Sequence, residues 1–174
     1  PVTSPTIKFV RAAHRDFLGR EPSAAELATA VAAIDSGRQS RSEFVATLSS
    51  SEEWVGAVVR KMYKDTLGRE GEPAGVAFWS KRIRTNRLTV AAVAANLYAS
   101  SEYFNGIGEG SSETWIRDLY AKLLNRTPDA AGAKYWAERT RTHGRVAVAY
   151  GFFQSNESAH QRVKVLYQQL LGRE

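Results

Sequence analysis

Four segments of the chain end in nearly the same way, and this recurrence constrains the fold more than any other feature of the sequence. Each segment has an aromatic residue, a leucine four positions later, then glycine or asparagine, then arginine. The glycine positions are separated by 49, 57 and 47 residues. A period near 50 residues is typical of arrays of repeated helical units. The four segments are residues 14–20, 63–69, 120–126 and 167–173.

The residue before each of these arginines is predicted to end a helix. Glycine, and less often asparagine, adopts the left-handed conformation that commonly follows the last helical turn. The apolar residues upstream recur at positions i, i+3, i+4, i+7 and i+8, which places them on one face of a helix. We call this helix A, and its predicted structural caps are Gly19, Gly68, Asn125 and Gly172.

Two more helices are predicted in each copy. Helix B begins near Pro22, Pro73 or Pro128, because the missing N–H of proline has no cost in a first turn. Helix C is short and ends before a Ser-x-Glu sequence, which suits the start of the next helix A. Residues 146–153 would favour a strand on propensity alone, but the repeat predicts helix C there. The expected fold class is all-α, with stacked three-helix repeats of about 50 residues and no sheet.

The repeat also predicts domain boundaries. The first three repeats are expected at residues 1–59, 60–110 and 111–163, and a truncated fourth at 164–174. The second repeat is expected to end in a flexible glycine-rich linker at residues 105–112, which accounts for the long 57-residue spacing. Since the chain begins at Pro1 without a signal peptide, we expect a piece of a longer protein.

Composition narrows the classes of function. The net charge of +6 is uneven, with −1 up to residue 59, +3 over 60–110 and +4 thereafter. This balance permits an anionic partner without requiring one. The absence of cysteine excludes disulfides and thiolate chemistry. No apolar run reaches the roughly 18 residues of a membrane span, so we expect no membrane insertion.

The sequence offers little catalytic or metal-binding chemistry. His14, His143 and His160 fall in different segments without metal-ligand spacing, and Asp129 is expected to cap helix B. No calcium loop, phosphate-binding loop, nucleophile elbow or zincin helix is present. We therefore expect no catalytic residue, no metal and no cofactor, and we do not expect an enzyme.

Two clusters of arginine follow matching tryptophans in helix B of the second and third copies. Guanidinium groups suit carboxylate, sulfate or phosphate, so the clusters are candidates for binding an anion. The alternative is that they complement helix C-termini on a solvated surface. Trp54, Trp79, Trp115 and Trp136 likewise allow two interpretations, core packing or stacking on sugars. The candidate anion-binding residues are Arg82, Arg84, Arg87, Arg139, Arg141 and Arg145.

The third copy carries a family resemblance. It reads as a tyrosine, a leucine pair and Asn-Arg, then Pro-Asp-Ala-Ala-Gly before Tyr-Trp, then Ser-x-Glu, over residues 120–157. It resembles the bacterial domain-of-unknown-function family numbered 4214, and the likeness extends through the other copies. The first copy is also distantly similar to the phycobilisome linker domain. Members of the first family typically sit in secreted or surface proteins beside enzymatic or adhesive domains, and no activity is established for them.

The resemblance implies a location and an accessory role. We expect a non-catalytic interaction or spacer module of an extracellular bacterial protein, which binds a partner protein or a cell-surface polysaccharide. The alternative is binding of an anionic glycan through the arginine clusters, with nucleic acid less favoured. An enzyme is the third and least favoured interpretation.

Overall fold

A computed structural model describes residues 4–171, with the side chains of residues 4–163. The prediction of an all-α fold is confirmed, and no strand occurs within this range. Residues 146–153, where propensity favoured a strand, are helical. The stacking of copies as three-helix units stays a prediction. The helices are α1 (Pro5–Leu18), α2 (Ala24–Asp35), α3 (Arg41–Ser49), α4 (Glu52–Leu67), α5 (Pro73–Arg84), α6 (Val90–Tyr98), α7 (Ser101–Gly106), α8 (Ser112–Leu124), α9 (Ala130–Gln154) and α10 (Asn156–Leu171).

Local capping explains where many of these helices begin. The side chain of Ser23 accepts a hydrogen bond from the backbone N–H of Glu26, and the Glu26 carboxylate accepts one from the Ser23 N–H. Ser40 and Glu43 form the same reciprocal box before α3. Each box satisfies two backbone N–H groups that the first turn of a helix leaves free.

One compact unit contains residues 4–61 and 71–87. In this unit α1 packs against both α2 and α3. The rings of Phe9 and Phe44 meet edge to face, with their centroids 6.0 Å apart. The buried apolar core consists of Val10, Ala13, Ala30, Phe44 and Leu48.

The other compact unit contains residues 62–70 and 88–171. Here α9 packs against α6 and α8. Trp115 is fully buried, and its indole N–H donates to the backbone carbonyl of Tyr98 over 2.8 Å. Phe152 contacts the rings of both Tyr120 and Trp136.

The two units do not coincide with the predicted repeats, because the second unit starts with the last turns of α4. Packing defines a compact unit, whereas sequence period defines a repeat. The predicted domain boundaries at residues 59, 110 and 163 therefore stay predictions.

Residues 107–111 form a hydrogen-bonded turn between α7 and α8, within the segment 105–112 for which the sequence predicted a flexible linker. The N–H of Gly108 donates to the Tyr103 carbonyl over 3.0 Å, and that of Gly110 donates to the Phe104 carbonyl over 2.9 Å. The extra residues thus divide the third helix A into α7 and α8. Backbone hydrogen bonds hold this turn together, and composition alone did not reveal them.

Helix α9 contains a second break. Gly144 has φ 81° and ψ 164°, which is not helical. This residue separates helix B of the third copy from helix C, so α9 is two helices joined at a sharp bend.

Candidate functional site

The predicted helix caps have the left-handed backbone that the sequence indicated. Gly19, Gly68 and Asn125 have φ values of 66°, 67° and 53°. The N–H of Gly68 donates to the Lys64 carbonyl over 3.0 Å, which closes the last turn of α4. Gly172, the fourth predicted cap, lies outside the described residues.

The arginine after each cap holds a glutamate that lies far along the chain. In the third copy the Arg126 guanidinium pairs with both carboxylate oxygens of Glu157. It also donates to the Thr127 carbonyl and lies 4.7 Å from the centre of the Tyr120 ring. We call this arrangement the Arg–Glu clamp.

The clamp recurs in the other two copies. Arg20 pairs with Glu53 over 2.7 Å, and Arg69 pairs with Glu102 over 2.5 Å. Each glutamate is the one in the Ser-x-Glu sequence that follows helix C. Arg20 additionally pairs with Glu26 over 2.8 Å.

Charge-assisted hydrogen bonds account for the acidity of these carboxylates. The Arg20 guanidinium lowers the pKa of Glu53, and the Arg126 guanidinium lowers the pKa of Glu157. The repeated Gly-Arg motif therefore links the end of one helix to the start of another, which is a structural role.

Two of the six candidate arginines bind backbone carbonyls at the ends of helices. Arg84 donates to the Ser50 carbonyl over 3.3 Å and pairs with Glu52 over 3.1 Å. Arg145 donates to the Ala99 carbonyl over 3.0 Å. Ser50 and Ala99 are corresponding residues, since each follows a helix C.

This geometry corrects the matching of the two clusters. Arg84 and Arg141 each lie five residues after the matching tryptophan, so the sequence pairs them, whereas the structure gives the role of Arg84 to Arg145. The reason is that helix B of the third copy runs on to the bend at Gly144. Arg141 instead pairs with Glu138 over 2.7 Å, one helical turn earlier.

The remaining candidates, Arg82, Arg87 and Arg139, have no carboxylate partner within residues 4–163. Arg82 lies 3.4 Å from the centre of the Phe78 ring, and Arg139 lies 5.7 Å from that of Tyr135. Arg87 is exposed, and its side chain has no ion-pair partner in the part of the chain that the structure describes. The six arginines therefore do not form one set of free cations.

Each helix B of the second and third copies presents an exposed aromatic residue. Phe78 is 46% exposed and Tyr135 is 53% exposed, and they occupy corresponding positions. Each meets the adjacent tryptophan edge to face and carries the arginine of the next turn on its ring. We call Phe78–Arg82 and Tyr135–Arg139 the aromatic–arginine pairs.

The tryptophans themselves favour the packing interpretation. Trp115 lies in the core, and Trp136 lies 4.7 Å from Phe152 between ring centres. Trp54 is half-buried and meets Phe17 edge to face at 5.4 Å. Trp79 is also half-buried and contacts Phe78.

A groove that the sequence did not indicate lies in the first unit, between the first turns of α4 and helix α5. Its volume is about 940 Å³. Arg60, Lys81 and Arg84 line it, together with Glu52 and Ser80. The Arg60 guanidinium lies across Gly56, since a Cβ on that glycine would be 3.3 Å from Nη1.

The groove residues could have been found by comparing copies. An arginine stands three residues before the repeated aromatic position at 11, 60 and 117. The position of Gly56 is held by a glutamate, Glu113, in the third copy. The first copy has Ile7 at that position, so only the third copy places a carboxylate one turn before the recurring arginine, and the sequence alone shows this difference.

The histidines and acidic residues have ordinary environments. His14 is buried, and its Nδ1 is 3.0 Å from the Val10 carbonyl oxygen. Asp129 accepts a hydrogen bond from the Gly132 N–H, as expected of a helix cap. Over residues 4–163 no three metal-ligating side chains gather into a group. None of the helices in the described range is long and apolar enough to span a membrane.

The fold and the clamps define an all-α protein whose recurring polar motifs join successive helices. Comparison with protein families then identifies residues 94–162 as a match to the family described as Domain of unknown function (DUF4214). This segment begins within α6 and includes the third copy, where the sequence resemblance was strongest. The family resemblance is thus confirmed for this segment, while the tandem copies and the likeness to the phycobilisome linker domain stay predictions. No curated protein and no solved structure matches the chain.

Proposed function

We propose that the chain is a non-catalytic interaction or spacer module of an extracellular bacterial protein, which binds a partner protein or a cell-surface polymer. The observation that carries this proposal is that the two aromatic–arginine pairs occupy corresponding positions of helix B and that the aromatic ring of each is exposed. Because the clamps already use the most strongly repeated charged residues, these pairs are the recurring feature left for binding.

The chemistry of the pairs suits recognition. Exposed aromatic rings and arginine are enriched among the residues that contribute most to binding energy at protein interfaces. An aromatic face also stacks on a sugar ring, and the guanidinium holds the ring in place through a cation–π contact. Both kinds of partner are therefore compatible with the same two pairs.

The test is retention by bacterial envelope polymers. Purified peptidoglycan, capsular polysaccharide and lipopolysaccharide would be incubated with the chain, and the unbound fraction measured. We expect the double variant Phe78→Ala and Tyr135→Ala to lose retention. The matched control is Val90→Ala with Val146→Ala, since these valines are also exposed, 48% and 46%, but lie at the start of helix C. If both double variants are retained equally, the aromatic–arginine pairs are not the binding surface.

A second candidate function is binding of an anionic glycan through arginine. It is favoured by Arg82, Arg87 and Arg139, whose guanidinium groups have no carboxylate partner among residues 4–163. Such contacts act together and weaken with salt. We expect the triple alanine variant of these residues to leave a heparin column at lower salt than the wild type. A variant lacking Arg84 and Arg145, whose side chains bind backbone carbonyls, should elute close to the wild type.

A further inference from the structure

We propose that the groove between α4 and α5 is a binding site for a carboxylated sugar. In this site Arg60 binds the carboxylate and Ser80 hydrogen-bonds a sugar hydroxyl. The inference rests on the proposed function, because it gives the binding module a second site, separate from the aromatic–arginine pairs, and names the class of ligand for that site.

The partners of the corresponding arginines point to a carboxylate. Arg117 of the third copy pairs with Glu113 over 3.0 Å. Arg11 of the first copy lies 3.9 Å from Glu21, a carboxylate that pairs more closely with Arg15, over 2.8 Å. In the second copy Gly56 replaces the glutamate, and Arg60 has no ion-pair partner within the described residues. The arginine that takes a carboxylate from its own helix in the third copy is open to the groove in the second.

Ser80 is the second, independent indication of a ligand. It is 95% buried and lines the groove, yet its Oγ has no hydrogen-bond partner anywhere in residues 4–163. Buried hydroxyl groups nearly always have a partner, and a serine in a helix commonly donates to the carbonyl four residues earlier. The Ser80 hydroxyl does not make that bond. The corresponding residues are Val31 and Ala137, which carry no hydroxyl.

The two changes occur together in one copy. Where the chain supplies the carboxylate, as Glu113 does, the residue at the serine position is apolar. Where it does not, at Gly56, a polar group is present at that position, whereas the first copy has the apolar residues Ile7 and Val31 at the two positions. A ligand that carries both a carboxylate and a hydroxyl satisfies Arg60 and Ser80 at once.

The shape of the groove favours a sugar over a peptide. Its volume of about 940 Å³ falls in the range of small-molecule sites, which is roughly 300–1,000 Å³. Pro73, Val76 and Ala77 give it a small apolar wall, and Lys81 adds a second cation. Peptides are bound at strand edges, in extended apolar or aromatic grooves, or through acidic groups by arginine clusters. Residues 4–171 contain no strand, and the apolar wall here is small, so an acidic peptide is the competing ligand that the test includes. A uronic acid presents one carboxylate to the arginine fork and several hydroxyls to the remaining groups.

The experiment compares two matched tetrasaccharides by isothermal titration calorimetry on the whole chain. One is a β-1,4-linked oligoglucuronate, and the other is cellotetraose, its uncharged counterpart. We expect the oligoglucuronate to bind about tenfold more tightly or better, because a hydrogen bond to a charged group contributes on that scale.

The variants follow from the comparison between copies. Gly56→Glu should abolish binding, because the new carboxylate pairs with Arg60 as Glu113 pairs with Arg117. Arg60→Gln should weaken binding about tenfold or more, and Ser80→Ala by a smaller factor. Arg117→Gln is the matched control and should bind like the wild type. Helix propensity favours glutamate over glycine, so the Gly56→Glu chain should fold, which its thermal midpoint verifies.

Three results would overturn the assignment. They are equal affinity for the two tetrasaccharides, unchanged affinity in Arg60→Gln, and equally tight, Arg60-dependent binding of a glutamate hexapeptide. The last result would place a protein carboxylate in the groove. None of these variants alters Phe78 or Tyr135. If retention on envelope polymers through those residues persists while the groove variants behave like the wild type, only the groove assignment fails.

Discussion

Asn125 ends α8 with the same left-handed backbone that Gly19 and Gly68 give to α1 and α4. Asparagine tolerates this conformation because its short polar side chain hydrogen-bonds locally, whereas a branched side chain collides with the backbone. A single position in each copy thus decides where helix A ends and where the next arginine points.

Substitutions at Gly68 test this role. We expect Gly68→Val to destabilise the chain by about 1–2 kcal/mol or more, the usual cost of a left-handed non-glycine residue. Gly68→Asn should be milder, since asparagine already occupies the third copy. Urea denaturation of both variants measures the difference. Equal losses in the two variants would contradict the assignment of Gly68 as a left-handed cap.

Core packing at the end of helix A provides a second prediction. Leu124 is 5% exposed and belongs to the core of the second unit. Leu124→Ala should lower the free energy of unfolding by about 2–5 kcal/mol, the range for truncating a buried leucine. Val163→Ala, at a residue that is 50% exposed, is the control and should change it by less than about 0.5 kcal/mol. A comparably small effect of Leu124→Ala would mean that helix A does not bury this face.

At the scale of helices and turns, the insertion between α7 and α8 is an ordered, hydrogen-bonded turn. Gly108 is buried where the backbone passes close to Trp115, and a Cβ there would lie 2.6 Å from the Phe104 carbonyl oxygen. Only glycine leaves room for the hydrogen bonds that close this turn. The extra residues are accommodated because they end one short helix and cap the next.

Substitutions at Gly108 and Gly106 distinguish a close backbone approach from a general preference for glycine in this segment. We expect Gly108→Ala to destabilise by about 1–3 kcal/mol, because the added methyl group has backbone on one side and Trp115 on the other. At Gly106, in α7, an added Cβ meets nothing within 4 Å. Gly106→Ala should therefore be neutral or slightly stabilising through helix propensity. Thermal denaturation of both variants checks the order, and a neutral Gly108→Ala would show that the segment behaves as a linker after all.

At the scale of the whole molecule, both compact units depend on the same polar device. The first unit contains the clamp of Arg20 and Glu53, and the second contains that of Arg126 and Glu157. The carboxylates are partly exposed, so each pair alone contributes modestly. Both pairs nevertheless respond to pH in the same direction, so together they make the stability of the folded chain depend on pH.

Low pH should reduce the free energy of unfolding, because it protonates Glu53 and Glu157. Their pKa values are lower in the folded chain than in the unfolded chain. The stabilisation is therefore complete above the unfolded value of about 4.3 and is lost as the pH falls through the folded pKa. We expect the thermal midpoint of the wild type to fall below about pH 4, and to fall less in the double variant Glu53→Gln and Glu157→Gln. Parallel curves for the two proteins between about pH 5 and pH 2 would show that the clamps contribute nothing to this dependence.

Local features account for what could be predicted about the fold. The cap at Asp129 and the helix ends at Gly19 and Asn125 depend on residues within one or two turns, so they were predicted from the sequence. The prediction that proline begins helix B is correct at Pro73 only, because Ser23 and Asp129 cap their helices one residue after Pro22 and Pro128. The period of the apolar residues likewise identified the buried faces, including those of Tyr63 and Tyr120. The turn at Gly108 escaped prediction because glycine content alone is compatible with both an ordered and a flexible segment.

The contacts of the candidate site residues depend instead on the tertiary structure. The sequence by itself determined that arginines recur after Trp79 and Trp136, and that Gly-Arg and Ser-x-Glu recur together. Only the tertiary structure decided that Arg84 and Arg145 bind helix-end carbonyls, that Glu157 is the partner of Arg126, and that Ser80 faces a groove without a partner. The physical reason is that helix formation is settled by contacts a few residues apart, whereas these partners lie 31 to 46 residues apart along the chain. They meet only through the packing of whole helices, which pairs the arginine after each helix A with a distant glutamate and leaves Arg60, at another recurring position, in a groove.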